Sequence, residues 1–321
     1  MSETEENTSA PNLLRLGHFD AAWDEYGRLL ELFPEDIEYQ CGLYTAGYWR
    51  NRREDIQRRR AGRELGSYLY HEWDSFQELV EDRGYQGCLS FRAAMQFILG
   101  TAADEFRLTF QEEGGRSVDV DLLIDLGKCL IRIEDYANAV EILNYTRRIY
   151  TGDARVLFLL GESLCSSGAA DDLPRGLAFY RDAFLKEPEQ IDPTLIASSA
   201  VAEVFEKLYE ARDRKLELVL EWLPAHIHAA HFSRIARKPT NPELDQVHQD
   251  AERLAGDLHT VVEKYREKTR ARLAFYILVL LHDHSYPEKD KPAVKEYEKF
   301  LKEIAPEVRE IYDAAVKTDE D

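Results

Sequence analysis

Hydrophobic residues recur at helical spacing through the middle of the chain. Three leucines stand at positions i, i+3 and i+7 and therefore share one helical face: Leu123, Leu126 and Leu130. After a short polar turn a second apolar stripe follows: Tyr136, Ala139 and Leu143. Gly127 interrupts the first stripe, where its missing side chain permits a close helix crossing, although glycine costs about 1 kcal/mol relative to alanine. The pattern predicts two antiparallel helices.

The same arrangement returns further along the chain. Gly161 follows Gly127 by 34 residues and interrupts another leucine stripe: Leu157, Leu160 and Leu164. The helix predicted after it carries small and aromatic residues: Gly176, Tyr180, Ala183 and Phe184. Pro188 ends this second pair, because proline cannot continue a helix without losing a backbone hydrogen bond. Two such pairs in register indicate an internal repeat.

These residue types at this spacing resemble the tetratricopeptide repeat (TPR) family, and the resemblance covers roughly residues 10–224. It implies an all-α fold, a right-handed superhelical solenoid built from antiparallel helix pairs. It also implies a concave groove, lined by the first helix of each pair, that binds peptides or partner proteins without catalysis. Because a fold alone does not determine a function, the groove is an expectation by analogy.

Less regular units flank the two clear pairs. A unit beginning near Ile37 has Leu43 and Tyr44 at the leucine–glycine positions of the family, so the glycine is missing there. An insertion near residues 50–66 lengthens this unit. Insertions of this kind map to the turns and loops of repeat proteins.

Two further units have weaker patterns. One is expected to place its first helix over residues 91–98 and its second helix over 106–110. The other is expected to have helices over 197–208 and 215–223, with Pro224 as the stop signal. Both are interpreted as additional helix pairs of the solenoid.

Beyond Pro224 the family pattern is lost, but helical signals continue. Asn241-Pro242-Glu243 is typical of a helix start, and the helix is expected to reach about residue 267. Residues 273–281 are apolar on all sides, which predicts a buried helix. The sequence therefore predicts three regions: a disordered N-terminus at 1–10, the solenoid at 11–224, and a helical region at 225–321 that continues and caps it.

Composition and charge narrow the function. The 321 residues are 44% hydrophobic and 32% charged, which is typical of a helical globular chain. The 61 acidic and 41 basic residues give a net charge of −20. This balance disfavours general binding to nucleic acids and to anionic membranes, since both require a positive surface.

The cysteines and the N-terminus indicate a location. The four cysteines are widely spaced and none belongs to a Cys-x-x-Cys pair: Cys41, Cys88, Cys129 and Cys165. We interpret them as free thiols in a reducing compartment. The N-terminus is polar and acidic, unlike a signal peptide, and the apolar run at 273–281 is too short to span a bilayer. We therefore expect a cytoplasmic protein without membrane insertion.

The TPR resemblance also identifies candidate groove residues in three successive units. They combine cations, one aromatic ring and polar side chains: Lys128, Arg132, Arg155, Phe158, Glu162 and Ser199. Lys128 and Arg132 are four residues apart and share a helical face. Such a groove suits an extended segment that is both acidic and apolar, with Phe158 as an apolar anchor.

Two other clusters give alternative hypotheses. One is a basic patch that could bind RNA or an acidic partner: Arg52, Arg53, Arg58, Arg59 and Arg60. The other is a set of C-terminal histidines that could bind a metal in a hydrolase: His226, His228, His231, His282 and His284. In a helix, however, residues at i and i+2 face different sides, so His226 and His228 would not point together.

The sequence thus favours a non-catalytic scaffold that binds a peptide or helix of a partner protein within a larger assembly. We expect no cofactor, because the chain contains no His-Glu-x-x-His motif, nucleophile elbow or glycine-rich phosphate loop. The metal hydrolase and the RNA or acidic-partner hypotheses remain open at this stage. The identity of the partner and the oligomeric state are open as well.

Overall fold

The computed structural model describes residues 9–114, 119–236, 240–284 and 292–318, and every regular element within them is a helix. The all-α class is therefore confirmed for these residues. The chain divides into two compact units, Met1–Thr146 and Arg147–Asp321. The expectation of disorder at residues 1–10 falls almost entirely outside the described residues.

Unit 1 contains the following helices: α1 Ala10–Arg15, α2 Phe19–Leu32, α3 Ile37–Arg50, α4 Arg53–Arg58, α5 Arg63–Glu81, α6 Leu89–Glu112, α7 Val120–Arg132, and α8 Tyr136–Ile149, which ends just past the boundary. Aromatic side chains of α3, α5 and α6 form its core. The rings of Trp49 and Trp73 are stacked with their centroids 6.1 Å apart, and Phe76 and Phe91 pack against Trp73. These large rings bury much apolar area, which stabilises the unit.

Two glycines let α2 and α3 cross closely. A Cβ atom on Gly42 would lie 2.2 Å from the Tyr26 ring, and one on Gly47 would lie 2.3 Å from the Trp23 ring. A larger side chain at either position would force the neighbouring ring to move. The family position at Tyr44 lacks a glycine, as the sequence indicates, and the close approach instead uses Gly42 and Gly47 on either side of Leu43-Tyr44.

The prediction of a helix pair over residues 91–98 and 106–110 is wrong. Residues Leu89–Glu112 form one continuous helix, α6. Gly100 lies in its middle, but a glycine weakens a helix by only about 1 kcal/mol and supplies no turn by itself. Ala102, Ala103 and Phe106 are buried, and this packing offsets that cost. Within the expected insertion, Arg53–Arg58 forms the short helix α4.

Unit 2 contains these α-helices: α9 Ala154–Ser166, α10 Asp172–Lys186, α11 Ser199–Ala211, α12 Leu216–Ala230, α13 Asn241–Asp257, α14 Glu263–His284, α15 Pro292–Ile304 and α16 Pro306–Thr318. The first two form a hairpin. Phe158 contacts Tyr180, whereas Cys165, later in α9, lies beside Gly176, earlier in α10. The two helices are therefore antiparallel, as the sequence predicts.

The predicted close crossings at the two spaced glycines are confirmed. A Cβ atom on Gly161 would lie 2.8 Å from the Tyr180 ring and 3.1 Å from the backbone oxygen of Gly176. In unit 1, a Cβ atom on Gly127 would lie 2.8 Å from Leu143. Each glycine thus removes a steric conflict at its own helix crossing.

Unit 2 departs from the sequence expectation at two places. Pro224 does not end a helix but lies inside α12, Leu216–Ala230. Burial of Trp222, Leu223 and Ile227 around it offsets the missing backbone hydrogen bond. The helix expected to reach residue 267 ends at Asp257, and α14 begins at Glu263.

Other expectations for the C-terminal region are confirmed. A helix begins at Asn241, with the Glu243 carboxylate accepting hydrogen bonds from the N–H and hydroxyl of Thr240. The apolar run at 273–281 is buried throughout. None of the described helices combines the length and hydrophobicity needed to cross a membrane.

Candidate functional site

Two of the expected groove residues are not on the surface. Phe158 is 1% exposed, and its ring packs edge-on against Tyr180 at a centroid distance of 5.5 Å. Glu162, one turn further along α9, is fully buried. The expectation that Phe158 is an accessible anchor beside Glu162 is therefore wrong: α9 is buried nearly all round, and these side chains belong to the interior.

The buried carboxylate of Glu162 is held by hydrogen bonds from several donors. It accepts hydrogen bonds from the Tyr180 hydroxyl, from Ser166 Oγ at 2.8 Å, and from the backbone N–H groups of Ala197 and Ser198 at 3.0 and 2.7 Å. Burial, followed by the charge of Glu162, raises the pKa of Tyr180 well above its usual value, so its hydroxyl stays a donor. Glu162 thus fixes the segment that precedes α11.

The expected groove cations have carboxylate neighbours within their own units. The Arg132 side chain is 13% exposed and lies 2.5 Å from Asp74. Arg155 lies 2.8 Å from Asp153, the N-cap residue of its own helix. Lys128 is half-buried, and Ser199 is exposed at the start of α11. Arg132 and Arg155 are therefore not free charges on an open groove.

The basic patch is largely neutralised by neighbouring carboxylates. Most of its arginines form ion pairs: Arg52 with Glu72, Arg53 with Asp20, Arg58 with Glu54, and Arg59 with Glu64 at 3.7 Å. Arg60 is exposed and has no carboxylate partner in the described part of the chain. These pairs cancel most of the local positive charge that RNA binding would need.

The C-terminal histidines are separately engaged. His226 Nδ1 lies 2.9 Å from the Trp222 carbonyl oxygen, and His231 Nε2 lies 2.9 Å from that of Ala200. The ring of His228 packs instead against His282 at 5.6 Å. Across the described residues, no three His, Cys, Asp or Glu side chains are grouped to hold a metal ion. The side chain of His284 lies outside the described part.

The crossing of α2 and α3 in unit 1 leaves an open groove of about 470 Å³. Aromatic and aliphatic side chains form most of its lining: Trp23, Leu30, Leu43, Tyr44 and Tyr48. Asn51 and Arg52 lie at one end, and Gln40 lies toward the other. We call this feature the α2–α3 groove.

Each of three rings in the α2–α3 groove has a guanidinium group over it: Arg52 at 3.3 Å from the Tyr48 centroid, Arg83 at 4.4 Å from that of Tyr44, and Arg50 at 5.6 Å from that of Trp23. Such cation–π contacts hold the rings in place. The Tyr48 hydroxyl also donates to Glu72 at 2.6 Å. The rings are thus fixed before any ligand arrives.

Large apolar side chains are also exposed at the α2–α3 turn. Leu32, Phe33 and Ile37 are each more than half exposed. Nearby, Leu89 is 63% exposed at the start of α6, where its backbone N–H donates to Glu38 at 2.7 Å. Clusters of exposed apolar residues of this kind are typical of interaction surfaces.

Sequence reasoning missed the α2–α3 groove because it treated the aromatic residues of this hairpin only as repeat positions. A signal was present. Tyr44 and Tyr48 are four residues apart and share a helical face, and Arg52 extends the same spacing. Comparisons of the chain with protein-family models, curated proteins and solved structures found no match.

Proposed function

We propose that this chain is a non-catalytic protein-interaction scaffold that binds a segment of a partner protein in the α2–α3 groove. The observation that carries the proposal is the lining of that groove by Trp23, Tyr44 and Tyr48, each with an arginine over its ring. Tryptophan, tyrosine and arginine are the residues most enriched at energetic centres of protein interfaces. Their fixed positions reduce the entropy lost on binding.

The partner segment carries apolar side chains and at least one carboxylate. Leu30 and Leu43 provide the apolar contact area. Arg83 is exposed beside Tyr44 and has no carboxylate partner among the described residues, so it is available to an acidic side chain. Because the chain carries a net charge of −20, it repels acidic partners elsewhere, and attraction at the groove selects the binding orientation.

We also propose that the helix pairs are arranged as a TPR-type solenoid in a cytoplasmic protein. The two hairpins with glycines 34 residues apart support the first part, since each glycine lies at a close crossing. The free state of Cys41, Cys88, Cys129 and Cys165 supports the second. In this arrangement the α2–α3 groove is the site through which the chain joins a larger assembly.

Capture experiments with matched variants test the groove. Wild-type protein, Leu43→Asp and Arg83→Glu are used to capture partners from native cell extract, and captured proteins are quantified by mass spectrometry. Leu216→Asp and Arg92→Glu are the controls, since Leu216 and Arg92 are exposed and lie outside the groove. Circular dichroism first verifies that all variants remain folded.

We expect Leu43→Asp and Arg83→Glu to lose the same partner proteins, whereas both controls keep them. The loss through Arg83→Glu should shrink as salt is raised, because screening weakens contacts between exposed charges. If both groove variants capture every wild-type partner, the partner binds elsewhere and the assignment of the α2–α3 groove is wrong.

A further inference from the structure

Unit 2 contains a cavity of about 750 Å³ between α11, α12, α14 and α16. Cavities of about 300–1,000 Å³ commonly bind small molecules. One face of α11 forms an apolar wall through residues at helical spacing: Val204, Leu208 and Ala211. Ala230 and Ile311 complete the apolar lining from the neighbouring helices.

Charged groups gathered beside Trp222 form the polar side of the cavity. The guanidinium groups of Arg212 and Arg270 lie 4.9 and 5.8 Å from the Trp222 ring centroid. The indole N–H donates to Glu267 at 3.2 Å, and Arg270 donates to the other oxygen of Glu267 at 2.6 Å. Arg270 also donates to the backbone oxygen of Ile304, so this side of the cavity is rigid.

Arg212 is held less completely. It donates to Glu307 at 2.8 Å, but its Nε–H is buried without an acceptor among the residues that the structure describes. Burial alone would raise the pKa of Glu307, yet its own backbone N–H and Arg212 outweigh this and lower that pKa. The pair is therefore ionised. The buried Nε–H faces away from the cavity space, but the Arg212 side chain is 25% exposed and lines the cavity, so the rest of its guanidinium group is accessible to a ligand oxygen.

The charges on the lining favour an anion. The cations Lys207, Arg212 and Arg270 face the carboxylates Glu267 and Glu307, both of which are already paired with arginine. Lys207 is exposed at the rim and has no carboxylate partner within the described ranges. One cation is thus left over, at the edge where a ligand would enter.

His226 adds a neutral hydrogen-bonding group to the lining. Its Nδ1 lies 2.9 Å from the Trp222 carbonyl oxygen, which can only accept, so Nδ1 carries the proton in the neutral ring. Burial lowers the pKa of His226. The ring is therefore neutral at pH 7, and its Nε2 is an acceptor rather than a second cation.

We infer that this cavity binds an amphipathic carboxylic acid, with its hydrocarbon body against the apolar wall of α11 and its carboxylate at Lys207 and Arg212. The site is separate from the α2–α3 groove and does not depend on the function proposed there. An unbranched acid with on the order of ten carbon atoms suits the cavity volume. Its carboxylate supplies the negative charge that the lining lacks.

Calorimetric titration of the full chain tests this assignment. Decanoate, decanol and decylamine serve as probes, each below the concentration at which it forms micelles. We expect decanoate to bind at least tenfold more tightly than decanol or decylamine. Equal binding of decanol would show that the polar side of the cavity does not select a carboxylate. Tighter binding of decylamine would show that the negative charges of Glu267 and Glu307 determine which ligand binds. Either result, or no binding of decanoate, overturns the inference.

Variants locate the binding site. Lys207→Glu should weaken decanoate binding at least tenfold, whereas Lys215→Glu, which makes the same charge change at an exposed lysine outside the cavity, should leave it unchanged. Ala211→Trp should abolish binding by filling the cavity. Thermal unfolding verifies that each variant folds. Decanoate binding unchanged in both Lys207→Glu and Ala211→Trp would place the acid elsewhere and overturn the assignment.

Discussion

The carboxylate of Glu162 accepts a hydrogen bond from the backbone N–H of Ser198, 36 residues further along the chain, at 2.7 Å. The same carboxylate binds the hydroxyl of Tyr180, which lies on the partner helix of the hairpin. One side chain therefore links α9, α10 and the segment entering α11. A buried carboxylate is stable in such a position only because several donors compensate for its lost hydration.

Replacing this carboxylate should destabilise unit 2. Glu162→Ala would leave the buried N–H of Ser198 and the buried Tyr180 hydroxyl without their acceptor, and each unsatisfied buried group costs about 1–3 kcal/mol. We expect the free energy of unfolding to fall by about 3 kcal/mol or more, measured by urea unfolding. Glu203→Ala, at an exposed carboxylate on α11, should change it by less than about 0.5 kcal/mol. A loss below about 1 kcal/mol for Glu162→Ala would contradict this account.

Two glycines in helix interiors should respond in opposite directions to alanine. A Cβ on Gly161 would meet Tyr180 and the backbone oxygen of Gly176, so Gly161→Ala should cost about 1–3 kcal/mol of stability through overpacking. A Cβ on Gly100 would meet open space, so Gly100→Ala should raise the free energy of unfolding by up to about 1 kcal/mol. Urea unfolding of both variants measures the difference. Equal effects would mean that Gly161 is not a packing contact.

Local steric logic explains which elements the sequence predicted correctly. Gly127 and Gly161 interrupt leucine stripes, and a glycine inside a stripe indicates a close crossing whatever the rest of the fold does. The apolar run at 273–281 has no polar face to expose, so its burial also follows from local composition. In each case the residues that decide the structure lie within a few helical turns.

The incorrect sequence predictions have a different cause, which is packing between residues that the local pattern does not connect. Phe158 and Glu162 lie on a helix that is buried nearly all round. Tyr180 of α10 packs against both side chains, and Ser198, 36 residues beyond Glu162, covers the carboxylate from another side. Pro224 stays inside α12 because tertiary burial outweighs a local stop signal.

In the α2–α3 groove three arginines lie over three aromatic rings. One of these arginines, Arg83, is 39 residues beyond the Tyr44 ring that it covers. Pairings between such distant residues leave no periodic signal, unlike Tyr48 and Arg52, which are four residues apart.

Stability should fall as the pH is lowered below about 6.5, the ordinary pKa of histidine. Burial, together with the charges of His282 and Arg181, lowers the pKa of His228 well below this value, and burial lowers that of His226 and His231. The unfolded chain then binds protons that the folded chain does not, so acid favours unfolding. A fully buried neutral histidine contributes about 1.4 kcal/mol of loss per pH unit in this window.

Unfolding in urea at pH 7.5 and pH 5.5 measures this dependence. In His228→Phe the drop between the two pH values should be about 1 kcal/mol smaller than in the wild-type chain, since one titrating group is removed. His248→Phe makes the same substitution at an exposed histidine of the same unit and is the matched control. An unchanged drop in His228→Phe would mean that this ring does not titrate on unfolding.

Gly47→Ala should couple the packing of α2 and α3 to partner binding. The new Cβ would lie 2.3 Å from the Trp23 ring, so the ring must swing outward and leave the guanidinium group of Arg50. We expect a loss of about 1–3 kcal/mol in the free energy of unfolding and a loss of partner capture, because the α2–α3 groove loses one wall. Gly27→Ala is the control, since a Cβ at Gly27 meets open space on the same hairpin, and it should retain both stability and capture. If Gly47→Ala is destabilised but still captures every partner, the Trp23 ring contributes packing alone and the binding energy comes from other residues.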